Sequence, residues 1–235
     1  ACLPATGVCT AAALAPYDVL LSNWNSFGGA KGAADWPAET RKAFIEFIGN
    51  GKGFVAVHAG TSSFYDWSEY QKICGATWKN GQTGHGAPHT FVVKPGPKDH
   101  PVTQGMKEFS TTDELWLKPA VHPDAMVIAA ADDQPVALVA GLGKGRGFTT
   151  LMGHDAGKMQ NPGFRTLLLR GTEWAATGKV TADAGSVLVK QVSAYQYGQS
   201  RAALLEAAKQ IQQAPREWAP KLAALLGDSG AALDA

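Results

Sequence analysis

Residues 51–60 of the chain are Gly51-Lys52-Gly53-Phe54-Val55-Ala56-Val57-His58-Ala59-Gly60, an apolar run that ends in a histidine followed by small residues. Four successive apolar residues bounded by glycine predict a buried strand over residues 54–57. The small residues after His58 allow a nucleophile elbow, a sharp strand-to-helix turn that lifts one side chain above the sheet edge. The stretch therefore predicts an α/β fold with a functional side chain at position 58.

The segments around this stretch indicate a mostly parallel sheet with flanking helices. A short apolar strand is predicted at 19–21, and a helix opens at residues 35–37 and ends at Asn50-Gly51. The succession of strand, helix and strand is typical of a right-handed crossover between parallel strands. Further strands are expected at 90–93, 126–129, 135–139 and 148–152, and further helices at 65–74 and from 164 to about 178. The glycine-rich residues 141–147 predict a hairpin turn, because their spacing is not that of a phosphate-binding loop.

Composition and charge exclude several classes of protein. The 235 residues are 45% hydrophobic and 17% charged, with a formal net charge of +1 and scattered Lys and Arg. Nucleic-acid binding requires a basic stripe, which this sequence lacks. No apolar run approaches the roughly 20 residues of a membrane span. We therefore expect a globular chain with neither a nucleic-acid partner nor a membrane span.

The N-terminal region leaves two questions open. Cys2 and Cys9 are close enough in sequence to form a disulfide, which would imply export, whereas two unpaired thiols are the alternative. On this basis an extracytoplasmic location, periplasmic or secreted, is favoured over the cytoplasm. Only one strand precedes residues 54–57, so we expect an N-terminally truncated domain with an unpaired edge or a gap beside that strand. Cys74, at a predicted helix end, is expected to be a buried apolar residue and not a nucleophile.

The C-terminal region is predicted to form a separate unit. The α/β domain is expected to cover residues 1–178, a linker residues 179–195, and a short helical hairpin residues 196–235. A single hairpin has too little apolar area to stand alone, because repeat units bury their faces against neighbours. We therefore expect further domains of the same polypeptide.

Three residues are the candidate catalytic or metal-binding groups. His154 follows the strand at 148–152 as His58 follows the one at 54–57, and ligands bind at the carboxyl ends of strands in open α/β sheets. We therefore expect the two histidines to converge as general bases or metal ligands, although a structural histidine is the alternative for His58. Glu114, in the pair Asp113-Glu114, could orient a histidine or complete a metal site, or else lie in a solvated turn.

A second set of residues is expected to bind substrate. His85 and His89 lie in a Gly- and Pro-containing loop that is expected to close over the pocket. Six aromatic residues lie near the histidine motifs, and two or three of them are expected to line the pocket, where aromatic faces suit sugar rings, while a core position is the alternative. The six are Trp24, Phe64, Tyr65, Trp67, Trp78 and Trp116. The predicted substrate-binding residues are Trp24, Asn25, Tyr65, Trp67, His85, His89, Trp116 and Asp155.

The order and spacing of these motifs, over about residues 16–178, resemble the ThuA-like family, which is named for trehalose utilisation. The motifs that carry the resemblance are residues 51–60, Phe64-Tyr65-Asp66-Trp67, His85 with His89, His100-Pro101-Val102-Thr103-Gln104-Gly105, Asp113-Glu114-Leu115, Pro135-Val136-Ala137, Gly143-Lys144-Gly145-Arg146, Gly153-His154-Asp155, and Phe164-Arg165 with Trp174-Ala175.

The resemblance implies a flavodoxin-like sheet of the class I glutamine amidotransferase-like superfamily. By position His58 replaces the cysteine nucleophile of those enzymes and His154 matches their triad histidine, so the chain is not expected to be an amidotransferase. The implied ligands are small carbohydrates, namely disaccharides or oxidised keto-sugars. Residues 192–226 resemble the start of the HEAT-like segment that follows ThuA-like domains in some multidomain bacterial proteins.

Two hypotheses for function follow. The first is an enzyme of carbohydrate metabolism that acts on a disaccharide or keto-sugar by histidine acid/base or metal-assisted chemistry. A divalent metal such as zinc would then be held by His58, Glu114 and His154. The alternative is a non-catalytic sugar-binding or scaffold module of a larger protein, and metal content would distinguish the two.

Overall fold

The computed structural model describes residues 9–25, 36–97 and 99–184. The α-helices in these ranges are α1 (Ala11–Leu14), α2 (Ala38–Gly49), α3 (Ser68–Cys74) and α4 (Pro162–Thr177). The strands are β1 (Val19–Ser22), β2 (Gly53–Val57), β3 (Ala76–Thr77), β4 (Gly84–His85), β5 (His89–Pro95), β6 (Phe109–Asp113), β7 (Trp116–Leu117), β8 (Ala120–Val121), β9 (Met126–Ala131), β10 (Gln134–Leu142) and β11 (Gly145–Thr150). Two 3₁₀ turns cover His58–Thr61 and Lys158–Gln160.

The central sheet has seven strands in the order β1-β2-β11-β10-β9-β5-β6. β1, β2 and β11 are mutually parallel, whereas β10, β9, β5 and β6 extend the sheet by antiparallel pairing. β10 and β11 form the hairpin predicted from the glycine-rich residues 141–147. The α/β fold prediction is confirmed, with parallel pairing around the strand that carries His58.

The gap expected beside residues 54–57 is not there. β2 pairs with β1 on one side, where Phe54 faces Leu20, and with β11 on the other, where Val55 faces Phe148. Within the described residues the outermost strands of the sheet are β1 and β6. The prediction counted only the strands that precede β2 in sequence, whereas the second neighbour of β2 is β11, which follows it by almost a hundred residues.

Helices cover both faces of this sheet. Gly171 of α4 packs against the ring of Phe148, and Gly147 packs against the carbonyl of Ile73 in α3. Because Gly147 and Phe148 are consecutive in β11, they point to opposite faces of the sheet. The two helices therefore lie on opposite sides and bury the sheet between them.

The antiparallel half of the sheet curls around α4. In a flat sheet β6 and β11, four strand spacings apart, would be separated by about 19 Å. Instead the Asn161 side-chain amide, at the start of α4, donates to the carbonyl of Ser110 in β6 at 2.8 Å. The Gly153 amide after β11 reaches a carboxylate oxygen of Asp113 at 2.6 Å. The curl thus brings the ends of β6 and β11 together.

Several sequence predictions concern other parts of the chain. Residues 185–235, with most of the predicted linker and the whole hairpin, lie outside the described residues, as does Cys2. The helix predicted at 65–74 begins only at Ser68. Cys74 is buried. None of the described helices is long and apolar enough to cross a membrane.

Candidate functional site

A pocket of about 640 Å³ lies where β2 and β11 end. Its volume is within the range of small-molecule sites, which is roughly 300–1,000 Å³. The residues that line it are Asn25, His58, Ala59, Ser62, Tyr65, Trp78, Asn80, His85, Glu114, Trp116 and His154.

His58 occupies the turn that follows β2. Its backbone φ of 43° lies in the left-handed region, which residues other than glycine seldom adopt and which occurs at strained functional turns. The chain then enters the 3₁₀ turn His58–Thr61, where a side chain at Gly60 would collide with the backbone of Ser22. Local sequence and backbone geometry together therefore produce the elbow-like turn expected from residues 51–60.

The protonation of His58 follows from its contacts. Its Nδ1 lies 2.7 Å from the carbonyl oxygen of Leu151, and since a carbonyl can only accept, Nδ1 carries the hydrogen. Burial lowers the pKa of His58 below its ordinary value of 6.5 and outweighs the opposite effects of the Leu151 carbonyl and of the Asp113 and Glu114 carboxylates. His58 is therefore a neutral imidazole whose Nε2 lone pair points into the site.

Three side-chain atoms meet at this lone pair. His58 Nε2 lies 3.3 Å from His154 Nδ1 and 3.6 Å from Glu114 Oε2, and His154 Nδ1 lies 3.0 Å from the same Glu114 oxygen. These are the only three His, Cys, Asp or Glu residues in the described chain that are grouped closely enough to share a metal ion. The structure thus brings together the three predicted catalytic groups, from β2, β6 and β11.

This triangle contains more acceptors than donors. His58 Nε2 and the carboxylate of Glu114 both present lone pairs, and His154 Nδ1 can donate its single hydrogen to only one of them. An imidazole lone pair facing a carboxylate oxygen in a largely buried site is unfavourable unless a cation lies between them. A proton or a metal ion at the centre of the triangle removes this conflict.

His85 lies at the mouth of the pocket. It belongs to β4, which pairs with β7 so that His85 is opposite Trp116. Its Nδ1 lies 3.7 Å from Glu114 Oε1, the carboxylate oxygen that faces away from the triangle. His85 is half-exposed and can therefore reach a ligand bound above Glu114.

Among the other predicted substrate-binding residues, Asn25, Tyr65 and Trp116 line the pocket. Three of the six aromatic candidates therefore lie in its wall: Tyr65, Trp78 and Trp116. Trp116 is buried between the rings of His58, at 5.0 Å, and Trp78, at 5.1 Å. Trp78 is only half-buried, so its ring is open to a ligand.

Four predicted residues lie elsewhere. Trp67 is 6% exposed and stacks on Tyr70 in the core, and Trp24 packs on Phe64. His89 faces solvent from β5, a different strand pair from the one that carries His85. Asp155 turns away and accepts a hydrogen bond from the amide of Lys158. None of these four is among the residues that line the pocket.

Sequence reasoning did not assign four residues that the pocket contains. They are Ala59, Ser62, Trp78 and Asn80. Ser62 follows the elbow by four residues, which was a usable signal, and Trp78 was one of the six aromatic candidates. Asn80 lies in a polar loop, where nothing in the local pattern distinguishes a ligand-facing amide from a solvated one.

Comparisons with known proteins agree with this architecture. The family model described as trehalose utilisation, ThuA, matches residues 4–175. A ThuA-like protein from Parabacteroides merdae is similar in structure with a TM-score of 0.65 at 29% identity, over 72% of this chain and 74% of that one. No curated protein sequence matches the chain.

Two further solved structures share the fold alone. A ThuA-like protein from Bacteroides uniformis has a TM-score of 0.54 at 19% identity, over 73% of this chain and 74% of that one. A cytoplasmic protein from Salmonella typhimurium has a TM-score of 0.53 at 13% identity, over 74% of this chain and 76% of that one.

Proposed function

The chain belongs to the ThuA (trehalose utilisation) family, and from that premise we propose that it is a carbohydrate-active enzyme with a divalent metal centre at His58, Glu114 and His154. Membership of this family supports a carbohydrate-related role in general. The finer proposal is that the substrate is a disaccharide or a keto-sugar that binds in the pocket above these three residues.

The size of the three-atom triangle carries the metal proposal. Tetrahedral ligands at about 2.0–2.1 Å from a zinc ion are separated from each other by about 3.3 Å. The three separations here are 3.0, 3.3 and 3.6 Å. Two imidazoles and one carboxylate are a common ligand set for catalytic zinc, which keeps a fourth position open for water or substrate. The donor set therefore fits zinc with little movement.

The surroundings of the triangle support the same reading. Metal-bound histidines usually donate their other ring N–H to a carbonyl or carboxylate, and the His58–Leu151 hydrogen bond is of this kind. Because burial lowers the pKa of His58, the ring is in the neutral form that binds metal near neutral pH. A bound divalent ion would supply a Lewis acid that polarises a substrate oxygen or acidifies a bound water.

The rest of the pocket is suited to a sugar. Trp78 and Tyr65 offer aromatic faces for the apolar face of a sugar ring. Asn25, Ser62 and Asn80 add amide and hydroxyl groups that can bond to ring hydroxyls.

His85 is the pocket residue placed to move a proton. Its imidazole is close to Glu114 and half-exposed, so it can exchange a proton with a substrate oxygen at the mouth. Cys9 and Cys74, the two cysteines among the described residues, are buried and do not line the pocket, so the described part of the chain offers it no thiol nucleophile.

Metal content and turnover test the proposal together. We expect the purified protein to hold about one zinc ion per chain, measured by inductively coupled plasma mass spectrometry. The Glu114→Gln and His154→Ala variants should lose this zinc. Wild type should convert at least one member of a panel of disaccharides and their 3-keto forms, and a chelator should abolish this conversion. Absence of metal from wild type, after growth with added zinc, would overturn the metal centre. Sugar binding without turnover would instead support the non-catalytic sugar-binding module.

A further inference from the structure

We infer that Asp113 is a positioning residue, whose buried carboxylate fixes the backbone that carries His154 and Glu114 so that their side chains meet at the metal-binding distance. The inference rests on the proposed metal centre. Asp113 does not line the pocket and is not one of the three grouped residues. Its proposed role is therefore exerted through the backbone of neighbouring residues.

Three backbone amides converge on this one carboxylate. Asp113 Oδ2 accepts from the Gly153 amide at 2.6 Å, and Oδ1 accepts from the amides of His154 at 3.2 Å and of Glu114 at 2.8 Å. The side chain is 1% exposed, so no bulk water competes for these bonds. Hydrogen bonds from backbone N–H groups to a carboxylate are among the stronger ones in proteins.

These bonds connect distant parts of the chain. Asp113 ends β6 and Gly153 follows β11, forty positions later in sequence. Two of the three bonds hold the 153–154 turn, and the third holds the backbone of Glu114. The same turn begins just after Leu151, whose carbonyl orients His58. Fixing this turn on Asp113 therefore sets the relative positions of all three ligand residues.

The turn could not hold this shape alone. Gly153 has a φ of +101°, and a Cβ there would lie 2.9 Å from the ring of Phe164. This backbone conformation directs the amides of Gly153 and His154 inward, where Asp113 is their acceptor. Without that acceptor, polar groups would remain unsatisfied in the interior, which favours rearrangement of the turn.

Both oxygens of the carboxylate are needed. An asparagine at this position has nearly the same volume but only one acceptor oxygen, and its NH₂ group would face at least one backbone N–H. Asp113→Asn should therefore break one or two of the three bonds while filling the same space. The variant separates the positioning role from simple packing.

The test uses zinc affinity, measured by competition with a chelating dye, and amide hydrogen exchange of the metal-free protein. For Asp113→Asn we expect zinc affinity to fall by about 10–100-fold, as for other groups that orient metal ligands. We also expect the amides of Gly153 and His154 to exchange at least about tenfold faster.

Glu173→Gln is the matched control. Glu173, which is half-buried, also uses its carboxylate to hold a loop, accepting from the amides of Thr181 at 2.8 Å and Ala182 at 3.0 Å, but it does not line the pocket. This variant should lose stability and keep wild-type zinc affinity. If loosening a loop anywhere weakened zinc binding, the two variants would behave alike, and the positioning role would be overturned.

The outcomes separate this inference from the proposed function. Wild-type zinc affinity in a folded Asp113→Asn variant would overturn the inference and leave the metal centre intact. A wild-type chain that binds no zinc would overturn the metal centre. If the amides of Gly153 and His154 then exchanged hydrogen at the same rate in Asp113→Asn as in wild type, the positioning role would be overturned as well. If Asp113→Asn does not fold, Asp113→Ser, which leaves room for water as a replacement acceptor, is measured in the same way with the same expectation.

Discussion

Replacing Trp67 with alanine should destabilise the protein strongly and leave the pocket intact. Trp67 lies in an aromatic cluster in which its ring centroid is 5.3 Å from Phe64, 5.6 Å from Phe44 and 5.6 Å from Tyr70. The guanidinium of Arg41 lies 4.8 Å from the Trp67 ring centroid. The substitution removes the member of the cluster that all four of these side chains touch.

The expected cost follows from these contacts. Truncating a buried Phe or Trp to alanine costs about 3–5 kcal/mol in free energy of unfolding. The lost contact with Arg41 adds about 0.5–1 kcal/mol, so the total is expected at the upper end of that range. For a chain of this size, 1 kcal/mol corresponds to a change in melting temperature of about 2–4 °C. Trp67→Ala should therefore melt roughly 10–15 °C below wild type.

The assay compares Trp67, which is buried in the core, with Trp78, which lines the pocket. Chemical denaturation gives the free energy of unfolding, and calorimetric titration with the disaccharide panel gives sugar affinity. Trp78→Ala, at a half-buried pocket wall, should change stability little and weaken sugar binding by about 1–3 kcal/mol. If Trp67→Ala kept wild-type stability but lost sugar binding, the assignment of Trp67 to the core would be wrong.

Two further predictions concern ionisable groups. Burial raises the pKa of the Cys74 thiol, so an alkylating reagent at neutral pH should modify Cys74 only after denaturation; rapid labelling in the native protein, followed by peptide mass spectrometry, would contradict this. The pKa of His58 is lower in the folded chain than in the unfolded chain, so protonation of His58 favours unfolding. The free energy of unfolding of the metal-free protein should therefore fall as the pH drops from 6.5 through the lowered pKa of the folded state. Urea denaturation with a chelator present should show a smaller loss for His58→Gln over the same pH range, and parallel curves for the two proteins would disprove the assignment.

The part of the site that sequence could predict is the part built by adjacent residues. The strand at β2, the small residues after it and the position of His58 all follow from one ten-residue stretch. His154 could be placed because it too follows an apolar strand. In both cases one short stretch of sequence contains both the strand and the histidine that follows its end.

The unpredicted part depends on pairing between distant strands. His85 and His89 are four residues apart, yet β4 pairs with β7 and β5 with β6, so only His85 reaches the pocket. Trp67 was assigned to the pocket from its place in a motif, but α3 starts only at Ser68 and Trp67 turns into the core. Asp113 and Glu114 are neighbours in sequence, but the first accepts a hydrogen bond from the Gly153 amide and the second lies beside His154. Both contacts depend on the curl of the sheet, which the local sequence does not show.

The position of β11 beside β2 in the sheet also limits when the site can form. As the chain is synthesised, His58 and Glu114 are made well before His154, and β11 must pair with β2 before the last of the three residues is in place. Domains fold as units, and contacts between residues so far apart form late and slowly. A ligand that requires all three residues therefore binds only the finished sheet. At a concentration one hundred times its dissociation constant it would stabilise that sheet by about 2.7 kcal/mol, so a bound cofactor would also protect newly made chains from proteolysis.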